Sequence, residues 1–70
     1  MSPDRLIYMA NQIGKFFAHR PADEAAAEIA NHLQKFWEPR MRSQIIALLD
    51  RSDTALDPSV RRAVESLRPR

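Results

Sequence analysis

Cysteine is absent from this seventy-residue sequence, so disulfides, thiolate zinc sites, iron–sulfur ligation and cysteine nucleophiles are closed to the polypeptide on its own. The same absence fits a reducing, cytoplasmic setting. With Gly14 as the sole glycine, a Gly-rich phosphate loop cannot be built, and nucleotide binding is not expected. No apolar run approaches the roughly 20 residues that a membrane helix needs. Asp4, Asn11 and Gln12 break up the N-terminal region where a secretory signal would place its apolar core. Imidazoles are scarce too: only His19 and His32 are present, and neither has a nucleophile at a recognisable spacing.

What is present describes a small folded unit. Hydrophobic residues make up 44% and charged residues 29%, the balance of a globular chain, and residues 1–70 suffice for one domain only. A chain of this size buries roughly 60% of its unfolded surface, which leaves a thin stability margin. Eleven Lys and Arg face nine Asp and Glu. Up to Trp37 the charges cancel, with Arg5, Lys15, Arg20 and Lys35 against Asp4, Asp23, Glu24 and Glu28, so the small basic surplus lies behind it. A nucleic-acid stripe needs a denser patch than this.

Prolines at positions 3, 21, 39 and 58 each precede apolar residues recurring every three or four positions. Proline suits the first turn of a helix, whose N–H groups lack intrahelical partners and whose φ it already adopts. The pattern predicts an all-α fold of four helices, about 3–19, 21–37, 39–50 and 57–67, packed as a compact bundle in which a helical hairpin is closed over by two shorter helices. Expected caps are Ser2, Glu38 and Asp57, with glutamate the poorest of the three because its longer side chain must fold back. The expected inward stripes are Leu6, Met9, Ala10, Ile13, Phe16 and Phe17 on the first helix, and Ala22, Ala25, Ala26, Ile29, Leu33 and Phe36 on the second. Met41, Ile45, Leu48 and Leu49 follow on the third, and Val60, Val64 and Leu67 on the fourth. Ile7, Tyr8 and Ile46 fall off these stripes and suggest a covered surface. Gly14 inside a helix costs about 1 kcal/mol relative to alanine, which implies close approach of another helix or of a partner's backbone.

Chemistry is sparse. His32 and Glu28 stand one helical turn apart, enough for an ion pair but short of a metal site. His19, followed by Arg20, reads as a cation placed at a helix C-terminus. Ser43, Ser52, Ser59 and Ser66 have no base in a recognisable arrangement, so no catalytic, cofactor-binding or metal-binding residue is assigned. An alternative from another class is a DNA-binding helix-turn-helix formed by the second and third helices, with Arg40, Arg42, Ser43 and Gln44 opening the recognition helix.

Three segments resemble the small delta subunit of cytoplasmic, NAD-dependent, molybdenum-containing formate dehydrogenases of bacteria. They are Leu6-Ile7-Tyr8-Met9-Ala10-Asn11-Gln12-Ile13-Gly14-Lys15-Phe16-Phe17; His32-Leu33-Gln34-Lys35-Phe36-Trp37-Glu38-Pro39-Arg40-Met41-Arg42; and, more weakly, Leu56-Asp57-Pro58-Ser59-Val60-Arg61-Arg62-Ala63. Glu38 stands where the family pattern leads one to expect aspartate.

The resemblance implies an accessory subunit that is not itself an enzyme. It would support assembly or stability of a complex through the large molybdenum subunit. Larger partner subunits would carry molybdopterin guanine dinucleotide, iron–sulfur clusters and FMN, passing electrons from formate to NAD. Neither nucleic acid nor membrane is expected as a partner. A related reading is a dissociable chaperone that delivers the molybdenum cofactor.

Candidate partner-binding residues are Tyr8, Asn11, Gln12, Trp37, Arg40 and Arg42, motif residues that are polar, amphipathic or outside the main stripes. Trp37 also lies beside Leu33 on the helical wheel, which suits a core aromatic with only its indole N–H exposed.

Overall fold

The computed structural model describes residues 2–51 and 53–69; Met1, Ser52 and Arg70, and with Ser52 one of the serines weighed above, lie outside the described residues. Four helices account for the fold: α1 (Pro3–Phe16), α2 (Ala22–Phe36), α3 (Pro39–Leu48) and α4 (Pro58–Ser66). No strand occurs among the described residues.

Each helix starts where proline and the caps direct it. Ser2 is extended and its Oγ accepts the Arg5 N–H at 3.3 Å, while Pro3 opens α1 and Asp4 adds a carboxylate to the first turn. Pro21 sits one position earlier than expected, as the extended residue before α2, and its carbonyl accepts the Ala25 N–H at 2.8 Å. Glu38 holds the cap position of α3 without a side-chain capping bond, in line with its poor fit to that role. Asp57 likewise precedes α4 with no side-chain capping bond.

The helices stop earlier than periodicity suggests. α1 ends at Phe16 rather than His19 because the chain must reverse before Pro21: Phe17, Ala18 and Arg20 donate to carbonyls three residues back, a tightened turn that replaces the final α-helical turn. α3 tightens in the same way at Leu49, Asp50 and Arg51.

The core is built from Leu6 and Ala10 of α1, Ile29 and Leu33 of α2, Trp37, Ile45 and Leu48 of α3, Leu49, Leu56, and Val60, Ala63 and Val64 of α4. α2 packs most extensively on α4, and α1 on α3, so the closing helix is also the principal neighbour of the hairpin's second arm. Met9, Ile13, Phe17, Met41 and Leu67 pack against this core only partly buried.

Three expected core residues point outward. Phe16 is 73% exposed because the fully buried line on α1 runs through Leu6, Ala10 and Gly14, about 120° round the helix from it. Phe36 is 71% exposed. It ends α2, and Trp37, leaving the helix in an extended conformation, fills that end of the core in its place. Ala22, the first residue of α2, is exposed beyond the packed turns.

Gly14 explains its own presence. A Cβ built there would lie 2.4 Å from Cγ2 of Val60, a fully buried and rotationally stiff side chain. The two helices meet at this point because α1 has no side chain in the way. Among the described residues three ion pairs tie the periphery, Arg62 to Asp23, Arg68 to Asp50 and Arg51 to Asp53. All are well exposed, so each contributes little to stability. The Arg51 guanidinium, by hydrogen bonding and then by charge, holds the Asp53 carboxyl below the ordinary carboxylate range. That small contribution is present at neutral pH and is lost as pH falls through the lowered value.

Replacing Gly14 by alanine sets a gain of about 1 kcal/mol in helix propensity against overpacking of about 1–3 kcal/mol. The expected net result is a loss of about 0–2 kcal/mol in urea unfolding. In a Val60→Ala background the same substitution should cost less, since the clashing methyl is gone. A stabilised single variant would contradict this packing.

Candidate functional site

Asn11, Trp37 and Arg42 work within the chain. The Asn11 side chain reaches the segment that leads into α4: Nδ2 donates to the Ala55 carbonyl at 2.9 Å and Oδ1 accepts the Asp57 N–H at 3.0 Å. One half-buried amide thus pins residues forty-four and forty-six positions away, fixing where α4 begins. Thr54 and Arg61 reinforce the segment, Thr54 Oγ1 donating to the Leu48 carbonyl and Arg61 Nη2 to the Thr54 carbonyl at 3.3 Å.

Arg42 does a comparable task at the end of α2. Its Nη1 donates to the carbonyls of Gln34 and Trp37, two acceptors that the helix itself leaves open. Trp37 is only 6% exposed. Among the described residues no buried side-chain nitrogen or oxygen lacks a hydrogen-bond partner.

Tyr8, Gln12 and Arg40 are exposed, and they remain as surface candidates. Tyr8 is 62% exposed, about 170° round α1 from its buried line. Phe16 and Phe36 join them, the spacing of apolar residues having assigned both to inward stripes. The signal that separates them from core residues is position: each is the last residue of its helix and follows a lysine. Neither ring is loose. Phe16 meets Phe17 edge-on at 5.0 Å between centroids, and Phe36 lies 4.8 Å from the His32 ring.

A cleft of ≈ 220 Å³ lies between the end of α1 and the start of α4, with Lys15, Arg20, Asp57 and Ser59 among its lining. It brings together no acid–base pair with a nucleophile. His19 is exposed, and His32 is committed to the Phe36 ring. Among the described residues no three His, Cys, Asp or Glu side chains converge on a position that could hold a metal. No helix is long and apolar enough to cross a membrane. The sequence has no cysteine and so offers no thiolate to an iron–sulfur cluster.

The Asn11 bridge is open to a direct test. Asn11→Ala should lower stability by about 1–3 kcal/mol, because a carbonyl and an N–H lose their partner. Asn11→Asp should fall between, keeping the acceptor for Asp57 N–H and losing the donor to Ala55. Equal melting temperatures for all three proteins would show the bridge to be idle.

Comparison with known proteins returns no match among the curated proteins and none among the solved structures. Residues 5–64, all but the ends of the chain and spanning α1 through most of α4, match the family described as NADH-dependant formate dehydrogenase delta subunit FdsD. The chain therefore belongs to the formate dehydrogenase delta subunit family.

Proposed function

We propose that this delta subunit is a non-catalytic accessory subunit, supporting assembly or stability of an NAD-dependent molybdenum formate dehydrogenase in the cytoplasm by binding the large molybdenum-containing subunit. The carrying observation is the family match over residues 5–64, which brings other subunits with it. The geometry supports it: the large aromatic side chains of Tyr8, Phe16 and Phe36 stand outward. In this reading molybdopterin guanine dinucleotide, iron–sulfur clusters and FMN belong to the partner subunits.

A helix-turn-helix is less well supported. Its recognition helix would need Arg42 for bases, whereas Arg42 is engaged by the carbonyls of Gln34 and Trp37. α2 and α3 also pack chiefly on other helices, α4 and α1, rather than on each other.

Co-expressed with the larger subunits, a tagged chain is expected to be retained stoichiometrically at moderate salt. Substoichiometric retention would point instead to a delivery chaperone that leaves the mature enzyme. Tyr8→Ala with Arg40→Ala should weaken retention without loss of helicity, because both side chains are exposed. Arg42→Ala should lower the melting temperature first, by removing the cap on α2. Failure of the unaltered chain to associate would overturn the proposal.

A further inference from the structure

The ends of α1 and α2 carry the same six-residue arrangement twenty positions apart. Lys15-Phe16-Phe17-Ala18-His19-Arg20 and Lys35-Phe36-Trp37-Glu38-Pro39-Arg40 each run lysine, phenylalanine, aromatic, two intervening residues, arginine. The structure treats them alike. In each, the second aromatic turns inward, Phe17 against the core and Trp37 within it. The phenylalanine turns outward at 73% and 71% exposure and is braced by a neighbouring ring. Lysine and arginine on either side are exposed.

The flanking cations of both ends, like Arg5, Arg42 and Arg61, are not neutralised among the described residues. Arg51, Arg62 and Arg68 are neutralised within the chain by Asp53, Asp23 and Asp50. Lys15, Arg20, Lys35 and Arg40 make no ion pair among the described residues. Each outward phenylalanine is thus flanked by two cations that lack a carboxylate.

We infer that these helix ends are paired anchors for an acidic face of a partner protein, each phenylalanine entering an apolar socket rimmed by carboxylates that meet the flanking lysine and arginine. The inference rests on the accessory-subunit reading above and specifies its partner surface. Phe16 ends α1 and Phe36 ends α2, with a short turn and the fifteen residues of α2, about 22 Å of helix, running between them. That nearly spans a molecule of 28 × 23 × 21 Å, and a standard interface of about 800 Å² per partner covers such a distance. Rings already held by Phe17 and His32 lose little freedom on docking. A polyanion such as nucleic acid fits less well, because two separated points, one with Glu38 between its cations, do not make a continuous basic track.

The test uses the full chain co-expressed with the larger subunits. Two variants each alter one anchor, Lys15→Glu/Phe16→Ser/Arg20→Glu and Lys35→Glu/Phe36→Ser/Arg40→Glu, and a third combines them. Glu65→Gln serves as an exposed control, and Phe16→Ser and Phe36→Ser alone guard against unfolding. Each anchor variant should weaken retention by at least about ten-fold, the combination should abolish it, and the control should match the unaltered chain. Affinity of the unaltered chain should fall as salt rises.

If the unaltered chain is retained and the folded anchor variants are retained equally well, the anchor inference fails while the subunit reading stands. If the unaltered chain is not retained, both fail. Anchor-dependent self-association of the isolated chain, or anchor-dependent binding of duplex DNA or RNA, would also overturn the inference.

Discussion

The close meeting of α1 and α4 is the contact on which the remaining structure leans. α4 is nine residues long, too short to persist alone, and gains its stability by burying Val60, Ala63 and Val64 against the other helices. Each buried valine contributes about 1.5–3 kcal/mol, a large share in a domain whose whole margin is about 5–15 kcal/mol. That burial needs a gap in the surface of α1, which Gly14 provides, and a fixed entry point, which Asn11 provides by holding Ala55 and Asp57. α2 then packs along α4, and the outward ends of α1 and α2 are set in space as a consequence.

Much of this was legible in the residues because helix initiation is local. Pro3, Pro39 and Pro58 stand at the first helical position, and Pro21 just precedes it, since a proline's constraints operate on its own φ and its immediate neighbours. Ser2 caps as expected, and Glu38 fails to cap for the reason its length suggests. Gly14 was readable as a point of close approach, although only the fold could name Val60 as the neighbour.

The remainder depended on distances along the chain that periodicity cannot see. Asn11 and Arg42 fell within candidate surface motifs, yet both bond to backbone groups that only the fold brings near. Phe36 matches the helical period and still faces outward, since a residue at the last position of a helix has no neighbour beyond it, and Phe16, also last in its helix, lies off the buried line of α1 as well. The inward path belongs instead to the next residue, Phe17 or Trp37. A helical wheel treats a helix as endless, and these two errors occur where it ends.

Function follows from the same division of labour. Polar groups that look available, Asn11 and Arg42, hold the chain together, whereas aromatics that look internal are presented outward. Its family places it in a multi-subunit enzyme, where outward aromatics have a neighbour to meet. A structure of that assembly tests the account most directly. The account predicts that Tyr8, Phe16 and Phe36 are covered by the large subunit while Asn11 still bridges Ala55 and Asp57. An assembly in which the chain keeps this fold but leaves all three rings in solvent would contradict it.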